Sequence, residues 1–207
     1  AGAGKSHQSL RDISLLNSIP NFRIFHPLNY VEVDQVLKHC IFKEKKNCAI
    51  RLSIGPPTNE ILKLKTRINF NSGIGQEITK GKKVVIFSYG QYVLNEILKT
   101  VEILKIKNIF PTVVNMSTMN FFNTKWLKKI VNKHDYIFTI DDHSISGGLG
   151  DNILNELNKQ KIIKNKNFFK IGIETFPECG TIEEVLKYHK LDSKSLYKTL
   201  ISKIKNR

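Results

Sequence analysis

The chain has 207 residues, 41% of them hydrophobic, enough for one large or two small domains that each bury a core. No apolar run reaches membrane-spanning length and none reads as a signal peptide, so the sequence carries no sign of a transmembrane or secreted class. The net charge is +15, but only five of the 33 basic residues are Arg and the lysines are scattered among abundant Asn and Ile. That pattern is the residue bias of an AT-rich genome rather than a nucleic-acid-binding face, which favours Arg and interleaved aromatics. Neither nucleic acid nor membrane is therefore expected as a partner.

The first eight residues are Ala1-Gly2-Ala3-Gly4-Lys5-Ser6-His7-Gln8, a glycine loop with no strand in front of it, the pattern of a chain cut within a domain. Apolar residues Leu10, Ile13, Leu15, Leu16 and Ile19 predict a helix over 9–18 that Pro20 ends. A short strand follows over 22–25, stopped by Pro27. Asn29 and Glu32 then form a predicted capping box that opens a helix with Val33, Val36, Leu37, Cys40 and Ile41 on one side. A further strand is predicted over 48–53. Residues 1–54 thus read as the end of a parallel α/β layer.

Gly55-Pro56-Pro57 breaks the pattern, and the polar, basic stretch 55–82 reads as a linker that wraps the surface. From 83 the alternation resumes: strand 84–88, helix 91–105, strand 109–115, helix 124–132 and strand 136–140. Then come Asp141-Asp142-His143, a glycine turn that becomes a helix over 147–158, and a strand over 168–173. Thr181 and Glu184 form a second capping box, and Asp192 caps a last helix over 193–204. Strands alternating with helices across 83–207 predict a three-layer domain with a mainly parallel sheet covered on both faces. Cys40, Cys48 and Cys179 match neither a metal cluster nor an even disulfide set, and read as buried or incidental thiols of a reducing, cytoplasmic compartment.

Two readings compete for the opening loop. Gly4-Lys5-Ser6 has the end of a phosphate-binding P-loop, and the strand ending in Asp141-Asp142 could play the magnesium-holding acidic strand. The match is incomplete, because the motif's first Gly would precede Ala1, and residues 9–53 contain too few strands to bring the acidic pair beside the loop. The alternative begins at His7. Gly4-Lys5-Ser6-His7-Gln8 resembles the Gly-Pro-Thr-His-Gln loop of the thiamine-diphosphate-dependent transketolase family. The resemblance continues in order through Ile19-Pro20-Asn21, Pro27, Ala49-Ile50-Arg51-Leu52, Ile74-Gly75 and Gly81-Lys82-Lys83. It ends in Asp141-Asp142-His143-Ser144 with Gly147-Gly148-Leu149-Gly150, similar to the family's Glu-Glu-His-Ser-x-x-Gly-Gly-Leu-Gly segment.

This resemblance covers nearly the whole chain and implies the following. Residues 1–54 are the C-terminal part of a pyrimidine-binding domain, 55–82 a linker and 83–207 the transketolase C-terminal domain. His7 is the catalytic residue that faces the substrate, with Ser6 and Gln8 as substrate-binding neighbours; an imidazole can donate to a carbonyl oxygen or exchange a hydroxyl proton near neutral pH. The cofactors of the complete enzyme are thiamine diphosphate and Mg2+, held mainly by residues outside this chain. A two-carbon unit moves from a ketose or 2-oxo acid donor, and the chain alone is inactive. The partners are the remaining pyrimidine-binding residues and a diphosphate-binding domain or subunit, in a homodimer or heterotetramer. Deoxyxylulose-phosphate synthases and the β subunits of 2-oxoacid dehydrogenases are near relatives with the same two-domain ending, and a non-catalytic assembly module of this fold is the competing class. Two departures stand out. The family's usual Asp four residues before the histidine is Ala3 here, and its sugar-phosphate Arg is replaced at Ile54, which points to a substrate other than the usual phosphorylated ketoses or to a relaxed donor preference. Asp141, Asp142 and His143 read as fold-building residues. His26, His39, His134 and His189 show no partner pattern.

Overall fold

A computed structural model describes residues 8–64, 70 and 72–205. The first helix, α1 (Asp12–Asn17), is shorter than the apolar spacing implies and buries a single side chain, Ile13. Strand β1 (Phe22–Phe25), helix α2 (Tyr30–Phe42) and strand β2 (Asn47–Ile50) follow, and β1 and β2 pair in parallel. Asn29 caps α2 by accepting from the Glu32 amide, as the sequence implies. The Glu32 carboxylate also reaches outward. It accepts from the Leu28 amide at 2.7 Å, the Ser117 hydroxyl at 3.0 Å and the Asn115 side chain at 3.3 Å. A buried carboxylate is tolerated only when hydrogen-bonded in this way. Here it also ties the first layer to the second.

The stretch 55–82 is more than a surface linker. Thr58 caps a short helix, α3 (Asn59–Leu62), whose Ile61 is fully buried. Strand β3 (Gln76–Thr79) then pairs antiparallel with β5 (Thr112–Asn115). The polar composition hid this strand, since an edge strand buries one face at most and shows no strong apolar run.

Strand β4 (Lys83–Ser88) shows why the second unit has three layers. Val84 and Ile86 enter one core, Val85 and Phe87 the other, the alternation inherent in a strand. Gly90, at φ +74°, turns the chain into α4 (Gln91–Lys105). After β5 come α5 (Thr124–Asn132), β6 (His134–Ser144), α6 (Leu149–Lys159), β7 (Asn167–Ile173), α7 (Ile182–Tyr188) and α8 (Ser193–Lys205). The sheet order is β3-β5-β4-β6-β7, parallel except for β3. Apolar residues of α4 and α8 cover one face, and those of α5 and α6 the other.

The two sheets meet through β1. Its free edge docks on residues 117–120, with His26 N donating to Ser117 O at 3.1 Å and Met119 N to Ile24 O at 2.9 Å. Ile13 and Ile24 join the core beneath α5 and α6, and Leu28 and Ile61 the core beneath α4. Strand β6 is longer than expected. It continues through Asp141, Asp142 and His143 to Ser144, with a register shift against β7 after Ile140.

Candidate functional site at the junction of the two sheets

The C-terminal ends of β1, β2, β4 and β6 converge on one cluster of charged and aromatic side chains. Ligands of open α/β sheets bind at this end of the strands. Arg51, just after β2, is its hub. Its Nε donates to Asp12 Oδ2 at 2.7 Å, and its Nη1 to Asp142 Oδ1 and Oδ2 at 2.9 and 3.2 Å. Nη1 also lies 3.1 Å from His26 Nδ1. A guanidinium only donates, so Nδ1 accepts and the proton sits on Nε2, which faces Ser53 Oγ at 3.1 Å. Burial, then the Arg51 charge, pushes the His26 imidazole down to about 4, so it is neutral at physiological pH. The Arg51 side chain retains 19% exposure and Asp142 31%. The Arg51 guanidinium is the largest influence that opposes desolvation of Asp142 and holds that carboxyl below its usual range.

Asp141 and Asp142 are adjacent on β6 but take different partners. Asp141 accepts from the Leu149 and Gly150 amides at 3.0 and 3.2 Å, at the start of α6. Its burial, against those two hydrogen bonds, pushes it up to about 7. Tyr89 is fully buried near both carboxylates without a hydrogen bond of ordinary geometry from its hydroxyl. Desolvation and the neighbouring carboxylate charges raise its phenol well above the ordinary value. His143 is fully buried, donates from Nδ1 to Ser144 O at 2.8 Å, and turns Nε2 toward Ser14 N at 3.5 Å and Asp12 Oδ1 at 3.9 Å. Burial lowers its pKa.

A cavity of about 460 Å³ opens beside this cluster. Its lining includes Asp12, Arg51, Ser53 and Asp142, Val185 and Leu186 of α7, and Gln8. Gln8 also lines a neighbouring cavity of about 510 Å³ and donates from Nε2 to Glu178 O at 3.1 Å. His7 and Ser6, the other residues assigned to the site from the sequence, lie outside the described residues, as do Ala3 and the Gly4-Lys5-Ser6 stretch of the P-loop reading. The acidic pair required by that reading is engaged elsewhere, Asp141 by backbone amides and Asp142 by Arg51. Ile54 is 90% exposed, and its carbonyl accepts from the Tyr92 hydroxyl. Arg51 is paired with both Asp12 and Asp142.

Among the described residues, no group of three or more His, Cys, Asp or Glu could hold a metal ion. The carboxylates nearest the cavity are committed to Arg51, and these residues do not fit the magnesium and diphosphate of thiamine diphosphate. His26 is the residue the sequence reading missed. Its sequence context is as featureless as that of His39, His134 and His189, yet it is buried between Arg51, Ser53 and Tyr89. His134 is an ordinary core histidine, bonded to Ile130 O and the Thr112 hydroxyl. Cys40 and Cys48 are half-buried and Cys179 exposed, all unpaired by disulfides.

A mainly parallel sheet with helices on both faces, preceded by a parallel layer docked at its strand ends, defines an α/β protein with its candidate site between two sheets. Residues 73–196 match the family "Transketolase, C-terminal domain", a match that takes in β3 as well as the parallel strands. The chain belongs to this family, a branch of the thiamine-diphosphate-dependent enzymes. It is 30% identical over 203 residues to the "Putative transketolase C-terminal section" of Methanocaldococcus jannaschii, covering 98% of this chain and 62% of that protein. It is 30% identical over 205 residues to 1-deoxy-D-xylulose-5-phosphate synthase of Caldanaerobacter subterraneus subsp. tengcongensis, covering 98% of this chain and 32% of that enzyme. A split gene transketolase, solved as an inactive beta4 tetramer, superposes with a TM-score of 0.84 at 22% identity, over 96% of this chain and 63% of that one. The chain thus spans from about a third to less than two thirds of these relatives. No helix among the described residues is long and apolar enough to cross a membrane.

Proposed function

We propose that this chain is the C-terminal section of a thiamine-diphosphate-dependent, transketolase-like transferase. It supplies the histidine loop and the C-terminal domain to an enzyme that moves a two-carbon unit from a ketose or 2-oxo acid donor. The observation that carries the reading is the position of Gln8. The residue directly after His7 lines the cavity into which Arg51, Asp12 and Asp142 face. His7 then serves as the proton-exchanging group toward the substrate, with Ser6 and Gln8 as its polar neighbours. The cofactor supplies the carbanion chemistry. It is held by the remaining pyrimidine-binding residues and a diphosphate-binding domain or subunit, in a cytoplasmic homodimer or heterotetramer, and the isolated chain is inactive.

Ile54, in place of an arginine, and Ala3, in place of an aspartate, remove two polar contacts to a phosphorylated ketose. The enzyme is accordingly expected to favour another donor. A second reading, a deoxyxylulose-phosphate synthase activity, draws support from the 30% identity to such an enzyme over 205 residues. Both readings are tested by assembling the chain with its diphosphate-binding partner and comparing ketose with 2-oxo acid donors. Turnover that requires both components and is lost with His7→Ala supports the first reading. Turnover of a 2-oxo acid donor that yields 1-deoxy-D-xylulose 5-phosphate favours the second. An assembled complex with full activity after His7→Ala removes the catalytic assignment, and one with no activity on any donor leaves the assembly module.

A further inference from the structure

Cys40 stands in the last turn of α2, and Cys48 is the second residue of β2. The short connection over 43–46 turns the chain back and brings the two side chains together. The Cys40 thiol donates to Cys48 Sγ, and the Cys48 thiol donates to Lys46 O at 3.3 Å. Both residues are half-buried, so solvent reaches the pair. Burial, then the neighbouring Cys48, pushes the Cys40 thiol up to about 12. Glu44 also acts on Cys40, but its carboxylate is turned toward His39 Nε2 at 3.8 Å and Arg23 Nε at 3.9 Å. Among the described residues no group of three or more His, Cys, Asp or Glu could hold a metal ion, so the pair belongs to no metal cage. Two thiols in contact outside a metal site have one reaction open to them together, oxidation to a disulfide.

We propose that Cys40 and Cys48 are a dithiol redox site, which a small-molecule disulfide converts into an intrachain disulfide. The Cys48 thiolate first attacks one sulfur of the small disulfide. A mixed S–S bond forms as the old one breaks, and one small thiolate leaves and takes up a proton. Cys40 then loses its proton and attacks the Cys48 sulfur, and the second small thiolate leaves. The protein gives up two protons and two electrons, and the small disulfide is reduced to two thiols. Cys48 attacks first because Cys40 keeps its proton at neutral pH. Part of that hold comes from Cys48 itself and ends once Cys48 is bonded. Neither step involves the opening loop or the reaction of the family. The new bond clips the end of α2 to β2, in a layer that its own packing holds weakly. Only Glu32 and Val36 of α2 are buried, while Leu37, Ile41 and Phe42 stay exposed, and β1 and β2 form a sheet of just two strands. A reducing compartment keeps the pair as thiols, so the bond forms when the ratio of disulfide to thiol rises.

The test uses the full chain carrying Cys179→Ala, which removes the exposed third thiol, with oxidised glutathione as the probe. Both remaining thiols should disappear without glutathione being retained, peptide mapping should join Cys40 to Cys48, and dithiothreitol should restore both. Cys40→Ser in the same chain should stop at a mixed disulfide on Cys48, with one glutathione retained. Because the fold holds the sulfurs in contact, half-oxidation of the folded chain should withstand a reduced-to-oxidised glutathione balance at least about 10-fold more reducing than in concentrated urea. By the same cycle, oxidation should raise the urea midpoint. That comparison needs no cysteine-to-serine variant, so it stands even where such a variant fails to fold. Glutathione retained on both cysteines, chains cross-linked to one another through them, or a balance no more reducing than in urea would each overturn the site. A folded Cys40→Ser chain that takes up no glutathione overturns the order of attack.

Discussion

Arg51 Nη1 stands 2.9 Å from Asp142 Oδ1 although 91 residues separate the two in sequence. The pair joins β2 of the first sheet to β6 of the second, and Arg51 extends the link to Asp12 on α1. An arginine suits this place because its fork donates to several acceptors from fixed directions, which a lysine ammonium cannot reproduce. Arg51→Ala should lower stability by about 3–5 kcal/mol, since two part-buried carboxylates lose their cation. Urea denaturation would measure it. The double variant Arg51→Ala/Asp142→Asn should be less destabilised than the two single losses summed, because one stranded charge is gone. Strict additivity would show that the pair carries no coupling.

His26 and Asp141 give stability opposite slopes with pH. The folded-state value of His26 is depressed from 6.5 to about 4, so below pH 6.5 the unfolded chain takes up a proton that the folded chain refuses, and stability falls as pH falls. Asp141 is raised from 3.8 to about 7, so the folded chain keeps a proton that the unfolded chain loses, and stability falls as pH rises toward 7. Between about pH 4 and 6.5 the two slopes, each about 1.4 kcal/mol per unit, oppose one another. The lowered His143 adds in the direction of His26. Asp141→Asn removes one side of the balance. Its stability should climb with pH across this window more steeply than wild type, by about 1.4 kcal/mol per unit. Urea midpoints at pH 4.5, 5.5 and 6.5 test this, and parallel curves for the two proteins would refute it.

The parts of the fold that the sequence reveals are those set by local pattern. The apolar rows of α4 and α5, the Thr181 capping box and the continuous strand β4 all lie where periodicity and caps place them. Strand β3 escapes notice because an antiparallel edge strand of four residues lacks a two-sided apolar run. The cluster escapes for a different reason. Asp12, His26, Arg51 and Asp142 are polar residues on separate elements, and no spacing rule links positions that only the docking of two sheets brings together. The Asp141-Asp142-His143 run stands out in the sequence as a motif, but its amide and guanidinium partners do not. The partner of Asp142 could not be named in advance.

Ile61 tests whether 55–82 is only a linker. Its side chain is fully buried in the core that α4 and α8 share. Ile61→Ala should cost about 2–5 kcal/mol, the range for deleting a large buried aliphatic side chain. A flexible linker would lose almost nothing. Differential scanning calorimetry distinguishes the two, and a melting temperature equal to wild type would show that the buried contact contributes little.

Gly147 tests the docking of α1 on the C-terminal domain. It adopts φ +78°, a conformation that side chains resist, and a Cβ there would lie 2.4 Å from Ser14 Cβ. Both effects act on Gly147→Ala, and together they should destabilise the chain by about 1–3 kcal/mol. The backbone part stays whatever faces the residue, whereas the steric part depends on Ser14. Gly147→Ala combined with Ser14→Gly should therefore recover part of the loss. In the single variant, hydrogen exchange should quicken first at the amides of Ser14 and Leu15, at the contact point. Uniform quickening across α6 with α1 unchanged would mean that the strain is confined to the glycine turn and that α1 is not seated against it.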